Sequence, residues 1–358
     1  MKCGGHFLPT ALSALFLVSC SGGTSQLQSI ISTPAQSGSA DLARSRPILY
    51  PEPLSKIPPA LRTRGHDGAH PAWMKLGIDD AAEGGALYVS QEMEAPVYLY
   101  PPNNRDNGAP LCSVIPGVGP LGLATDPSGT LYVASSFRKF IGVQRYGPNC
   151  GAPGNYYADL DGIPDKPAID GSTLYVSNLI DTGEVAATID VYVVSSASTR
   201  SQLSSPDMWT GVGLALDSHH NLFWSGGRSP YTDGIVVEFT NGKMPGHVLV
   251  KLGHDFPGGV VIDKSDNLLL IDQNKKSIYL YSPPYTAPAY ATIALKGTTI
   301  ECALSIHGTR LYCLDYEVGS VDVYSYPAGT YIYSFTNGID ANEDPTDIIF
   351  SVSGLTIK

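Results

Sequence analysis

A chain of 358 residues is long enough for one large domain or two ordinary ones. Its formal net charge of −11, with charged residues at only 15%, argues against a nucleic-acid partner and admits cations or basic partners, because phosphate backbones are held by clustered Lys and Arg. Gly 38, Pro 28 and Tyr 21 suit a turn-rich all-β protein.

The N-terminus reads as a targeting segment. Lys2 supplies a positive start, and the apolar run 7–18 is too short to span a bilayer as a helix. The following LVSC at 17–20 resembles a bacterial lipobox. That resemblance implies a signal peptide over 1–19, cleavage before Cys20, and acylation of Cys20. Several acyl chains anchor a protein stably where one is marginal, so the lipid bilayer becomes a partner. The mature chain is then exported and anchored to the cell-envelope membrane, facing the periplasm or the exterior. An ordinary secretory signal, with Cys20 incidental, is the competing reading. Residues 20–72 are rich in Ser, Gly, Pro and Ala and read as a disordered tether. The packed domain is placed over 73–358, from Trp73 onward.

Within that domain one stretch returns six times. It reads LYVS at 87–90, LYVA at 131–134, LYVS at 174–177, LFWS at 222–225, LLLID at 268–272 and LYCLD at 311–315. Successive leucines are 44, 43, 48, 46 and 43 residues apart. A period in the forties, built on β-branched and aromatic runs, is a propeller signature. Each leucine run (strand b) follows an apolar run (strand a) across a turn, as in GLATDPSGTLYVAS from Gly122. Asp126, Asp217 and Asp263 sit where an Asx-type turn reverses the chain. Strand c carries an aromatic mark, as in IYLYSPP from Ile278, and a more variable strand d leads onward. Four strands of about five residues fill such a period.

The first leucine run has no convincing strand a before it. The last is followed by a surplus one, PTDIIFSVSG at 345–354. The expected architecture is therefore an all-β, six-bladed β-propeller of four-stranded antiparallel blades. The C-terminal strand closes the ring as the innermost strand of blade 1 and removes an open sheet edge. The GLATD…LYVAS and GVVID…LLLIDQNKKSIYLY segments carry a resemblance to the NHL-repeat propellers and the broader SMP-30/gluconolactonase-type superfamily, over roughly 73–358. That resemblance implies fold far more than activity, because the superfamily spans enzymes, ligand binders and scaffolds.

Export exposes cysteines to an oxidising compartment. After Cys3 is removed and Cys20 acylated, Cys112, Cys150, Cys302 and Cys313 remain, an even number that suits two disulfides. If the hairpin turns at His307-Gly308, Cys302 and Cys313 face each other across strands a and b; two buried free thiols are the alternative. Cys112 begins strand d of blade 1 and Cys150 lies in the c–d loop of blade 2, on the same side of neighbouring blades.

Aligning the repeats puts Gly122, Lys166, Gly213, Gly259, Glu301 and Asp347 where strand a starts, at the channel mouth. Asp272 and Asp315 end strand b on the same face. Glu301, Asp347, Asp272 and Asp315 are the candidate ligands for Ca²⁺ or Mg²⁺, or an acid/base pair; solvated or turn-capping carboxylates are the ordinary alternative. Lys166 and His254, the latter next to Asp255 before FPGG, are candidate ligand-binding residues. The SMP-30 pattern, carried over, wants a Glu in an EGP-like strand start with Asn and Asp at other starts. Here Glu301 sits in IECA, and the comparable starts read GPLG, FPGG and DPTD, without the Asn. Asp159 to Asp165 resembles only a fragment of a calcium loop, since Ile163 and Pro164 fall where position five and the invariant Gly belong. His219-His220 lies in an a–b turn without a third ligand nearby. No GxSxG, HExxH, P-loop or dinucleotide fingerprint occurs.

The reading is a binding module for a protein, glycan or small ligand, leaning away from an enzyme. The alternative is a divalent-cation-dependent, lactonase-like hydrolase or lyase at the mouth.

Overall fold

The computed structural model describes residues 85–351, apart from 93–95, 115–118, 138–139, 160–161, 182–185 and 230–231. Cys20, the signal peptide, the tether and Trp73 lie outside the described residues. No helix among the described residues is long and apolar enough to cross a membrane.

Twenty-four strands make six four-stranded antiparallel blades among the described residues. Blade 1 holds β1 (Ala86–Gln91), β2 (Val97–Tyr100) and β3 (Cys112–Val114). Blade 2 holds β4 (Pro120–Thr125), β5 (Leu131–Phe137), β6 (Phe140–Tyr146) and β7 (Pro153–Ala158). Blade 3 holds β8 (Gly162–Asp170), β9 (Thr173–Asp181), β10 (Thr188–Val193) and β11 (Ser198–Ser204). Blade 4 holds β12 (Thr210–Leu216), β13 (Leu222–Ser229), β14 (Thr232–Phe239) and β15 (His247–Gly253). Blade 5 holds β16 (Pro257–Ile262), β17 (Leu268–Asp272), β18 (Ser277–Tyr281) and β19 (Ala291–Ala294). Blade 6 holds β20 (Thr299–Leu304), β21 (Arg310–Asp315), β22 (Ser320–Ser325) and β23 (Tyr331–Phe335). The surplus strand, β24 (Pro345–Ser351), completes blade 1 from inside.

Its register against β1 sets Leu87 opposite Phe350, Tyr88 opposite Ile349 and Val89 opposite Ile348. Alternation along a strand then divides the two isoleucines. Ile348 is fully buried in a cluster with Tyr312, Leu314 and Val323 of blade 6. Ile349 packs on a cluster containing Leu123, Leu131 and Val133 of blade 2. The closing strand thus joins the first blade to both neighbours.

The leucine runs form the buried centre of each sheet: Leu87, Leu131, Leu174, Leu222, Leu268 and Leu311 are all fully buried. The Asx turns form as read. Asp126 Oδ1 accepts the Ser128 and Thr130 N–H groups, Asp217 Oδ1 those of His219 and Asn221, and Asp263 Oδ1 those of Ser265 and Asn267.

Both disulfides are present. Cys112–Cys150 joins blade 1 to blade 2, and Cys302–Cys313 joins strands a and b of blade 6. The Ser305 N–H bonds the Arg310 carbonyl at 2.9 Å, which fixes the alternation of the hairpin. Counting three pairs inward, Cys302 opposite Cys313 falls at a narrow, non-hydrogen-bonded pair, and their Cα atoms are 4.1 Å apart.

Candidate functional site at the propeller axis

The axial residues owe their placement to a repeated irregularity. In blades 2, 4, 5 and 6 the a–b register shifts just before the aligned position: between Pro120 and Leu123, Gly211 and Leu214, Pro257 and Val260, and Thr299 and Cys302. Blade 3 shifts between Pro164 and Pro167. A bulge re-aims its residues, and here each one turns the aligned residue toward the axis. The sequence reading put these residues at the strand starts. The strands in fact begin two residues earlier, at Pro120, Pro257, Thr299 and Pro345, three earlier at Thr210, and four earlier at Gly162 in blade 3. The bulge, invisible in the periodicity, accounts for the offset.

Successive blades meet at this level. A Cβ on Gly122 would lie 1.9 Å from the Asp165 carbonyl oxygen, and one on Gly213 would lie 2.6 Å from the Gly259 Cα. A Cβ on Gly259 would lie 2.0 Å from a carboxylate oxygen of Glu301. Glycine at these positions lets neighbouring backbones and the Glu301 side chain occupy the same small space.

Into that space project Lys166, Asp347 and Glu301, from blades 3, 1 and 6. Lys166 Nζ lies 2.7 and 2.6 Å from the two Asp347 carboxylate oxygens, and 3.7 Å from Glu301 Oε2. Asp347 also accepts two backbone N–H groups, from Leu123 at 2.5 Å and from Ile348 at 2.6 Å. All three side chains are buried. Burial pulls the Lys166 ammonium down, but attraction to Asp347 and then Glu301 outweighs it and holds the lysine charged. Burial raises Glu301 well above the carboxylate range; Lys166 only partly offsets this, and Asp347 adds to it. Burial thus favours the protonated form of Glu301, beside a Lys166–Asp347 ion pair.

Leu121, Val212 and Ile300 line the small cavity beside the triad, about 190 Å³ counting its open side. They belong to an apolar collar with Ile163, Leu179, Phe256 and Tyr316. The axis is filled at this level by paired charges and apolar side chains.

Of the residues singled out in the sequence, Lys166, Glu301 and Asp347 come together, and Asp272 and Asp315 stay apart from them. Among the described residues no three His, Cys, Asp or Glu side chains group so as to hold a metal ion. Asp272 Oδ1 accepts the Lys275 N–H at 3.0 Å, and Asp315 Oδ1 accepts the Glu317 N–H at 3.0 Å, so each caps its b–c turn. Burial, helped by Asp322 and Glu317, pushes Asp315 up to about 7. His254 is fully exposed, 3.2 Å from Asp233 on the rim. Asp159 caps its own turn, with Oδ1 accepting the Gly162 N–H. His219 and His220 lie near Asp266 and Asp170 of neighbouring blades.

Sequence reasoning missed two things. The serine closing the LYVS motif ties blades together: Ser90 Oγ donates to the Leu121 carbonyl, Ser225 Oγ to that of Gly258, and Ser177 Oγ accepts the Trp224 indole N–H. Its recurrence at 90, 177 and 225 was the available signal. The second is an uneven face. Strand b runs on to Phe137, Asp181 and Ser229 in blades 2, 3 and 4, but ends at Asp272 and Asp315 in blades 5 and 6. Two or three extra residues raise one side of this face by roughly 7–10 Å.

No protein-family model and no curated protein matches the sequence. Solved structures do share the fold. A chain in the crystal structure of a nidogen/laminin complex is 17% identical with a TM-score of 0.62, the match covering 76% of this chain and 100% of that one. A functionally unknown protein from Desulfotomaculum acetoxidans is 11% identical with a TM-score of 0.55, covering 75% of this chain and 99% of that one. At such identities the likeness shows the fold alone.

Proposed function

We propose that this propeller is an extracytoplasmic binding module, tethered to the envelope membrane through acylated Cys20, that presents its uneven loop face to a protein, glycan or small ligand. The observation that carries the reading is the filled axis. Lys166 supplies the positive charge between the two axial carboxylates, and apolar side chains line the same space, so the face with its raised rim over blades 2–4 is what the disc offers. The two disulfides agree with an oxidising compartment. The propeller likeness in a nidogen/laminin complex supports the reading by fold analogy only. The placement near NHL-repeat and SMP-30-like propellers rests on the sequence segments quoted above.

The hydrolase or lyase reading needs a divalent cation at the mouth, where Lys166 already pairs Asp347. Titration with Ca²⁺ or Mg²⁺ should leave the melting temperature unchanged. A rise that disappears in Glu301→Gln with Asp347→Asn would establish a metal site and overturn the binding-module reading. For the anchor, Cys20→Ala should move the protein from the membrane to the soluble fraction; retention there would refute acylation at Cys20.

A further inference from the structure

The axial triad has more in it than an ion pair requires. Lys166 Nζ sits against both oxygens of Asp347. A nitrogen that close to both oxygens lies about 3 Å from the carbon between them, a near-attack separation. The Leu123 and Ile348 N–H groups are already aimed at the two oxygens of that carboxyl. They are placed where negative charge would develop if the carbon became tetrahedral. Glu301, whose protonated form burial favours, stands 3.7 Å from the same nitrogen. Leu121, Val212 and Ile300 wall the cluster with apolar atoms. Gly122 and Gly259 leave the space through which Lys166 and Glu301 converge on Asp347.

We propose that Lys166 and Asp347 condense into an intramolecular amide, with Glu301 as the proton-transfer group, so that a covalent bond ties β8 of blade 3 to the closing strand β24 of blade 1. The step balances without an oxidant or a co-reactant. One proton passes from the Lys166 ammonium to the Asp347 carboxylate along their hydrogen bond, giving an amine and a carboxylic acid. The amine lone pair attacks Asp347 Cγ and forms the C–N bond. The Leu123 and Ile348 N–H groups hold the two oxygens, one of them the resulting oxyanion and the other the departing hydroxyl. Glu301 takes a proton from the attacking nitrogen as it gives its own to the departing hydroxyl. The C–O bond breaks, one water leaves, and Glu301 ends as it began.

The surroundings favour this outcome. A buried ion pair pays a desolvation cost at both charges. A neutral amide removes both charges, in surroundings lined by Leu121, Val212 and Ile300. The bond would also serve the fold. Residues 166 and 347 are 181 apart in sequence. Within blade 1, β24 is held by its antiparallel pairing with β1 and by the Ser90 hydroxyl. An amide there would fasten the ring closure, complementing the Cys112–Cys150 bridge between blades 1 and 2.

The test is peptide mapping by mass spectrometry of the full-length protein, reduced, denatured and digested with trypsin. The wild type should yield a branched peptide joining the segments that contain Lys166 and Asp347, lighter than their sum by one water, with fragment ions placing the branch on those two residues. Pro167 already blocks cleavage after Lys166, so the joined mass, not a missed cut, is the readout. Lys166→Arg should give two separate peptides, and Glu301→Gln should lose the branched one while keeping the β-sheet circular dichroism of the wild type. Separate Lys166 and Asp347 peptides in the wild type would overturn the proposal, whatever the variants do. A branch that forms equally well in Glu301→Gln would overturn the role given to Glu301.

Discussion

Replacing Ile348 by alanine should damage the protein far more than replacing its neighbour Ile349, although the two are chemically identical and adjacent on the closing strand. Ile348 is fully buried against Tyr312, Leu314 and Val323 of blade 6. Ile349 is only partly buried, at the edge of the cluster between blades 1 and 2. Truncating a fully buried isoleucine removes its transfer energy and leaves a cavity, and costs about 3 kcal/mol within a range of 2–5. A half-buried one loses about 1 kcal/mol, mostly transfer energy. For a domain of this size the first change lowers the melting temperature by roughly 6–9 °C and the second by roughly 2–4 °C. Urea unfolding followed by tryptophan fluorescence reports both, because Trp224 is fully buried in blade 4, far round the ring from the substitutions. A single shifted transition is expected, since the closing strand belongs to the same ring. Equal losses, or a larger loss at Ile349, would refute the register of β24 and with it the inward aim of Asp347.

The other expectations are quickly stated. The Asp315 carboxyl is raised by burial to about 7, from about 3.8 when unfolded. Both states are protonated below about pH 4; between the two values the folded state holds more protons, so stability falls as pH rises and levels off above about 7. Asp315→Asn keeps the bond from the Glu317 N–H and removes the charge, so it should stabilise the protein by up to ~4 kcal/mol at pH 8 and change little at pH 4. An equal effect at both pH values would refute the burial argument. Replacing both Cys112 and Cys150 by serine opens a span of 38 residues and should cost about 4 kcal/mol in urea denaturation. The same loss should follow gentle reduction of the wild type if the bridge acts mainly through the unfolded chain; a loss under about 1 kcal/mol would show that blade packing already fixes blades 1 and 2.

Much of the architecture was written in local pattern. The six leucine runs, their Asx turns at Asp126, Asp217 and Asp263, and the surplus PTDIIF strand specify blades, count and closure, because alternation and turn chemistry act over a few residues. The Cys302–Cys313 pairing followed from the hairpin register, and Cys112–Cys150 from their place on one side of neighbouring blades. The sequence also pointed to Lys166, Glu301 and Asp347 as departures from glycine in one aligned column. It could not divide four carboxylates correctly: Asp272 and Asp315 share a face with the others, yet each bends back to cap its own turn. That choice depends on hydrogen-bond donors only a few residues away and on backbone direction, which composition does not encode.

The tertiary structure alone decided what the axial residues do to one another. Lys166 and Asp347 meet across a blade and 181 positions of chain, and Glu301 joins them from a third blade. The bulges that aim them, the Leu123 and Ile348 N–H groups that hold Asp347, and the glycines that admit the side chains act together only when the ring is closed. Local sequence sets the strands and their turns, because those forces are short-ranged. The charge state and reactivity of a buried cluster depend on burial and on distances between remote residues, and these exist only in the assembled ring.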